Sequence, residues 1–279
     1  MKKGKEFAFR VLSTVIFVPL LAYSLFHEKS YLFPTIITVA AMWGLSEFYS
    51  LAKKSGIQST PPLGYIAGIL GLIGSTFFPD KSVFLWIMIF WNLIGIGFIY
   101  KILKGESISQ PTLSSLASTL MGVLYVVYPF SLLVTMQHIP DGAWLLIWMV
   151  LITWACDTAA YLTGSMIGKH KLCPSISPGK TIEGVVGGVT LSLIAALGLP
   201  RLFPASCRLT AWSFGTLLGI GLLLTVIGIL GDLAESVLKR QAGVKDSGNT
   251  YTGHGGMLDI VDSLLFTAPV FYFLLNFIL

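Results

Sequence analysis

Apolar residues run along this chain in long blocks, parted by short polar separators. Nine blocks can be read: 7–26, 31–52, 62–79, 82–103, 113–137, 143–167, 184–203, 213–231 and 257–279. Each approaches the roughly 20 residues that a helix needs to cross the hydrocarbon of a bilayer. Most separators carry turn chemistry, as in Lys53-Lys54-Ser55-Gly56, Pro61-Pro62, Pro79-Asp80, Gly105-Glu106, Pro140-Asp141-Gly142 and Pro204-Ala205-Ser206. The pattern predicts an all-α fold, a polytopic integral membrane protein with about nine transmembrane helices. The apolar run that follows Lys2, Lys3, Lys5 and Arg10 is long for a signal peptide and is read as an uncleaved first span. Gly-x-x-x-Gly spacings at Gly64/Gly68, Gly184/Gly188 and Gly215/Gly219 predict close helix packing. Two separators, 168–183 and 232–256, are longer than the rest.

Composition agrees. Hydrophobic residues make up 54% of the 279 and charged residues 11%, against about 25% charged in an average soluble domain. That excludes a soluble fold and a disordered chain, and three cysteines exclude a disulfide-stapled module. The net charge of +5 would suggest nucleic acid in a soluble protein. In a membrane protein basic residues mark cytoplasmic loops, and no nucleic-acid partner is expected. With the N-terminus inside, the inner segments hold Lys2, Lys3, Lys5, Arg10, Lys53, Lys54, Lys101, Lys104, Lys169, Lys171, Lys180, Lys239, Arg240 and Lys245. The outer loops hold Lys29, Lys81, Arg201 and Arg208. The asymmetry predicts N-terminus in, C-terminus out, with both long loops on the cytoplasmic face of the inner membrane.

The acids are unevenly placed. Glu6, Glu28, Asp80, Glu106 and Asp141 fall at span ends, and Glu47 lies within the second span. Asp157, Glu183, Asp232, Glu235, Asp246, Asp259 and Asp262 crowd the last four spans. An ionised group at mid-bilayer costs roughly 3 kcal/mol or more, so such clustering calls for compensating cations. Asp232, Glu235, Ser236 and Lys239 are spaced i, i+3, i+4, i+7 and form one stripe at the cytoplasmic end of span eight. Asp259 and Asp262 share a face of span nine. Asp232, Asp246, Asp259 and Asp262 are therefore candidate ligands for Mg²⁺, which takes oxygen donors and substrate phosphates. The other reading is helix capping and interfacial pairing with Lys239, Arg240 and Lys245.

The 232–256 loop also suits phosphate. Lys239, Arg240 and Lys245 supply charge, and Gly243, Gly248, Gly253, Gly255 and Gly256 permit close backbone approach. His254-Gly255-Gly256 leads into a helix, whose N-terminus favours anions. The 168–183 loop offers Lys169, His170, Lys171, Ser175, Ser177, Lys180 and Thr181. Its Gly179-Lys180-Thr181 is not a P-loop, because Cys173-Pro174 stands where the first glycine belongs.

These residues carry a family resemblance. Ser236-Val237-Leu238-Lys239-Arg240, Lys245-Asp246-Ser247-Gly248 and His254-Gly255-Gly256-Met257-Leu258-Asp259 with Asp262 resemble the signature of the phosphatidate cytidylyltransferases, the CDP-diacylglycerol synthases. Asp157-Thr158-Ala159-Ala160-Tyr161, Lys169-His170-Lys171-Leu172, the run Ser175–Gly184 and Gly231-Asp232-Leu233-Ala234-Glu235-Ser236 are similar to the same family. The specific likeness covers about 157–263. Ile260 stands where the family usually has arginine, Thr252 where it has proline, and Tyr251 where it has an aliphatic residue.

The resemblance implies transfer of a cytidylyl group from CTP to phosphatidate, releasing pyrophosphate. It also implies Mg²⁺, with a second metal ion left open, and a homodimer in the bilayer. Asp232, Lys239, Asp246 and Asp259 are the implied catalytic residues. Ser177, Lys180, Thr181, Arg240, Lys245, His254, Gly255 and Gly256 are the implied substrate contacts. The chain divides into N-terminal scaffold helices, 1–140, and C-terminal helices bearing the site, 141–279. Two alternatives stand beside this. Asp259-x-x-Asp262 is a fragment of the CDP-alcohol phosphotransferase pattern, without its flanking Asp-Gly and Ala-Arg elements. An ion-coupled transporter would spread its acids through both halves, and no internal repeat supports one.

Overall fold

The computed structural model describes residues 19–27, 31–104, 112–203, 208–248 and 255–278. Most of them are helical. Residues 19–26 form α1. Then follow α2 (Leu32–Lys54), α3 (Pro61–Phe77), α4 (Ser82–Lys104), α5 (Thr112–Gly122), α6 (Tyr128–Gln137), α7 (Gly142–Ile167), α8 (Ile182–Leu202), α9 (Phe214–Gln241) and α10 (Met257–Ile278). Among the described residues, seven helices are long and apolar enough to cross a membrane, with α5 and α6 joined into one of them. The 17-residue α3 is a shorter apolar helix. The first sequence block, 7–26, lies mostly outside the described residues. Large apolar side chains such as Trp91, Ile102, Leu103 and Met166 are exposed, as expected of surfaces that face lipid rather than water.

The chain packs as two compact units. The first comprises Met1–His138 with Leu238–Val261, and the second Ile139–Val237 with Asp262–Leu279.

In the first unit, the segment from Thr112 to Gln137 is the most deeply buried of the membrane-length helices. A π turn, Val123–Val127, joins α5 to α6 just before Pro129. Proline has no N–H to return to the preceding turn, and the ladder widens there. Ala41, Leu45, Val123, Val126 and Leu132 form the fully buried centre. Tyr49 Oη donates to Thr119 O at 3.1 Å, and Thr60 N donates to Thr119 Oγ1 at 2.8 Å. Gln137 Nε2 donates to Ser24 O at 3.2 Å, tying α1 to α6. Gly71 leaves room for the Trp86 ring, which a Cβ there would overlap.

In the second unit, α7 and α8 lie side by side along most of their length. Glycine makes this possible: a Cβ at Gly184 would stand 2.7 Å from Ala160 O. Trp148 Nε1 donates across to Ala196 O at 2.9 Å, and Thr225 Oγ1 of α9 donates to Ser192 Oγ of α8 at 2.7 Å. Between α7 and α8 the chain forms an element that the helical pattern does not predict. A two-stranded antiparallel hairpin pairs β1 (Lys171–Cys173) with β2 (Ser177–Thr181).

Candidate active site

The second unit encloses a cavity of about 480 Å³ between α7, the hairpin and the first turn of α8, with Ile229 and Asp232 of α9 on its wall. Ligand pockets commonly measure about 300–1,000 Å³. The lining is mixed. Asp157, Tyr161, Lys171, Ser177, Lys180, Thr181 and Asp232 bring charge, hydroxyls and an aromatic ring, while Gly164, Gly168, Gly179 and Gly184 expose backbone.

The hairpin is fixed at its root. Glu183, in the first turn of α8, accepts from Lys169 N at 3.1 Å and from His170 N at 3.2 Å, and its Oε1 lies 2.6 Å from His170 Nδ1. Ile182 N donates to His170 O at 2.9 Å. Thr181 is buried and caps α8, its Oγ1 accepting from Gly184 N at 3.1 Å. With its root held, β2 projects Lys180 across the cavity, where Nζ meets Asp232 Oδ2 at 2.6 Å. The Gly-Lys-Thr triplet thus lies on a strand, with its threonine used as a cap.

Asp232 opens the polar stripe foreseen on α9. Glu235 and Ser236 are buried, whereas Val237 and Arg240 on the opposite side are exposed. Gly231 lets α10 approach closely, since a Cβ there would be 2.7 Å from Asp262 O. Asp262 is 9% exposed, and its Oδ1 accepts from Ser263 N at 2.6 Å. Ser263 Oγ donates to Asp157 Oδ2 at 3.4 Å. Asp262 lies within electrostatic reach of Asp232, Glu235 and Asp157, and Asp157 within reach of Asp232. Among the described residues, no three His, Cys, Asp or Glu side chains are grouped as a ready-made metal cage. All-oxygen donors of this kind suit Mg²⁺, which is usually bound by one or two carboxylates together with substrate phosphates.

The first unit holds a second polar centre, built by the end of α9, the 242–248 segment and the start of α10. Lys239 Nζ lies 2.6 Å from Asp259 Oδ1. Asp259 Oδ2 accepts from Ser247 N at 2.9 Å, Ser247 Oγ at 2.9 Å and Gly256 N at 2.6 Å. Glu47 of α2 reaches the same turn. Its Oε1 accepts from Met257 N at 2.9 Å and its Oε2 from Leu258 N at 2.9 Å; Oε2 also lies 3.0 Å from Ser247 Oγ, whose one proton goes either to it or to Asp259 Oδ2. The glycines allow this density. Gly255 has a φ of +86°, Gly243 has +68° where α9 ends, and side chains at Gly248 or Gly256 would collide with Glu47. Lys245 and Asp246 are exposed, and Arg240 Nη1 donates to Val244 O at 3.0 Å. Ile260 is also exposed. His254, Gly253, Thr252 and Tyr251 lie outside the described residues.

Sequence-predicted residues are therefore divided. Lys180, Ser177, Thr181 and Asp232 share the second unit's cavity, whereas Lys239 and Asp259 join in the first unit's network with Gly256. Ser247, the binding partner of two carboxylates, and Glu47 were not among the predicted site residues. One signal pointed to Glu47: it is the acid of the first half that falls inside an apolar block, and such a group requires partners.

Fold and site together define a polytopic helical membrane protein with a polar, acid- and lysine-lined pocket among its helices. The cytidylyltransferase family matches residues 8–278, and the chain belongs to that family. It is 42% identical over 184 residues to the phosphatidate cytidylyltransferase of Staphylococcus aureus strain COL, covering 66% of this chain and 68% of that one. It is 31% identical over an alignment of 294 positions to the phosphatidate cytidylyltransferase of Synechocystis, covering 95% and 94%. Similarity at 42% over 146 residues extends to the uncharacterized protein YnbB of Escherichia coli K12, covering 52% of this chain and 47% of that one.

Proposed function

We propose that this enzyme transfers the cytidylyl group of CTP to phosphatidate, forming CDP-diacylglycerol and pyrophosphate for phospholipid synthesis. The observation that carries the proposal is the 480 Å³ cavity in which Lys180 meets Asp232, in a membrane chain of the cytidylyltransferase family. In this reaction a phosphatidate oxygen attacks the α-phosphorus of CTP. The bond from that phosphorus to the bridging oxygen breaks, and pyrophosphate leaves with the electron pair. The lipid phosphate is already a nucleophile, so no covalent protein intermediate is needed. Lys180 and Lys171 balance phosphate charge in the cavity, and Ser177 and backbone N–H groups orient the nucleotide. In the first unit, Lys239, Arg240 and Lys245 are proposed as phosphate contacts in their own right.

Bound Mg²⁺ would neutralise charge developing on the phosphates. Each unit offers its own proposed ligands, Asp232 and Asp262 in the second and Asp246 and Asp259 in the first. Asp259 becomes a ligand only by loosening its existing bonds to Lys239, Ser247 and Gly256. The basic-residue asymmetry supports a cytoplasmic N-terminus and a site open to cytoplasmic CTP at the inner membrane. The family resemblance supports a homodimer.

The test is purified protein with phosphatidate, Mg²⁺ and each labelled nucleoside triphosphate in turn. Lipid-soluble label with CTP alone is the expected result. Absence of nucleotide transfer by folded protein refutes the proposal and favours the transporter.

A further inference from the structure

We infer that Glu47 is a positioning residue for this reaction, a carboxylate from the N-terminal helices that fixes Ser247 and the first turn of α10. The inference rests on the function proposed above. Glu47 is 6% exposed on α2, 200 residues before its partner Ser247. A buried carboxylate in a membrane helix is costly unless its oxygens are satisfied. Here two backbone N–H groups of the first turn of α10 donate to it, and the Ser247 hydroxyl, whose one proton it shares with Asp259, lies beside it. These groups have no acceptor within their own helix, so Glu47 caps α10 from another helix.

The same side chain also sets Asp259. Ser247 Oγ lies within hydrogen-bond reach of both Glu47 Oε2 and Asp259 Oδ2. Asp259 in turn holds Lys239. Glu47 therefore orients Lys239 and Asp259 through Ser247 and the helix start, without needing to touch substrate.

The chemistry demands a carboxylate rather than a polar group of the same shape. Met257 N–H points at Oε1 and Leu258 N–H at Oε2. A glutamine has one acceptor oxygen and one NH₂. Whichever way it is turned, its NH₂ faces a backbone N–H, and one helix-start donor is left unpaired.

The experiment uses the full-length purified protein and compares wild type with Glu47→Gln and Glu47→Asp. Hydrogen exchange is followed at Met257 and Leu258, and kcat and KM are measured for CTP and phosphatidate. Glu47→Gln should speed exchange at these amides by about 10-fold while residues 128–137 keep their protection. Its kcat should fall by about 100-fold, the scale of a 1 Å misplacement, with each KM within about twofold. Glu47→Asp keeps two acceptor oxygens and should recover part of the kcat. Wild-type kcat in Glu47→Gln overturns the inference. So does faster exchange throughout the protein with activity lost in proportion to folded protein, which is the mark of a merely structural role. A wild-type protein that transfers no cytidylyl group overturns the functional reading instead, and is recognised before any variant is compared.

Discussion

Lys239 Nζ and Asp259 Oδ1 stand 2.6 Å apart, and each side chain is only 11% exposed. Lys239 ends the polar stripe of α9, and Asp259 opens α10. Removing one partner from a buried pair strands the other charge and typically costs about 3–5 kcal/mol. Lys239→Met and Asp259→Ala are each expected to abolish measurable turnover while the protein still inserts and purifies. The double variant Lys239→Met/Asp259→Asn should regain thermal stability over either single change, yet stay inactive. Melting curves in detergent together with the CTP assay check this. Near-normal activity in Asp259→Ala would remove this pair from the catalytic machinery.

The Lys180–Asp232 pair predicts a different pattern. Both side chains line the cavity and are about one-quarter exposed, so either can exchange its partner for a bound ligand. Lys180→Met should lower kcat/KM for CTP by about 10²–10³-fold, the usual result of losing one preorganised charge-stabilising donor. Asp232→Asn should do comparable damage, and the double variant should be little worse than either, because the two act as one unit. Additive losses in steady-state kinetics would show that they act separately.

Much of this was legible in the sequence because lipid imposes a simple code. Blocks 31–52 through 257–279 each became a helix, and the i, i+3, i+4, i+7 spacing of Asp232, Glu235, Ser236 and Lys239 correctly marked one face of α9. α9 runs on to Gln241, beyond the end of its apolar block, since Leu233, Ala234, Glu235 and Leu238 are good helix formers. The hairpin was not legible. Its strands have three and five residues, with Pro178 and Gly179 inside the second, so no alternating pattern marks them. The reach of Glu47 was not legible either. A lone acid within a span announces that it needs partners, but sequence spacing does not say that they lie about 200 residues further on.

Glycine packing between α7 and α8 gives a stability prediction independent of catalysis. Gly184→Ala places a methyl 2.7 Å from the backbone oxygen of Ala160, and backbone cannot rotate away. Overpacking of this kind costs about 1–3 kcal/mol, so its melting temperature should fall. Gly198→Ala in the same helix meets nothing within 4 Å and should be neutral or slightly stabilising, through better helix propensity. Equal melting temperatures for the two variants would contradict this account of the α7–α8 contact.

Asp262 supplies the sharpest test of the proposed metal dependence. It is nearly buried, and Asp157, Asp232 and Glu235 add like charge around it. A cation that relieves this repulsion should stabilise the wild-type fold, because a ligand bound to the native state alone raises apparent stability. Wild-type protein should therefore melt higher in Mg²⁺ than in chelator. Asp262→Asn removes one of the repelling charges and also one proposed ligand. It should melt above wild type in chelator, gain little from Mg²⁺, and need about 10–100-fold more Mg²⁺ for half-maximal transfer, the usual penalty for weakening a metal site. The order of the two melting curves should thus narrow or reverse when Mg²⁺ is added. Parallel shifts in both proteins would place the metal away from Asp262, and no shift in either would leave the acids of α7, α9 and α10 to be balanced by lysines such as Lys180.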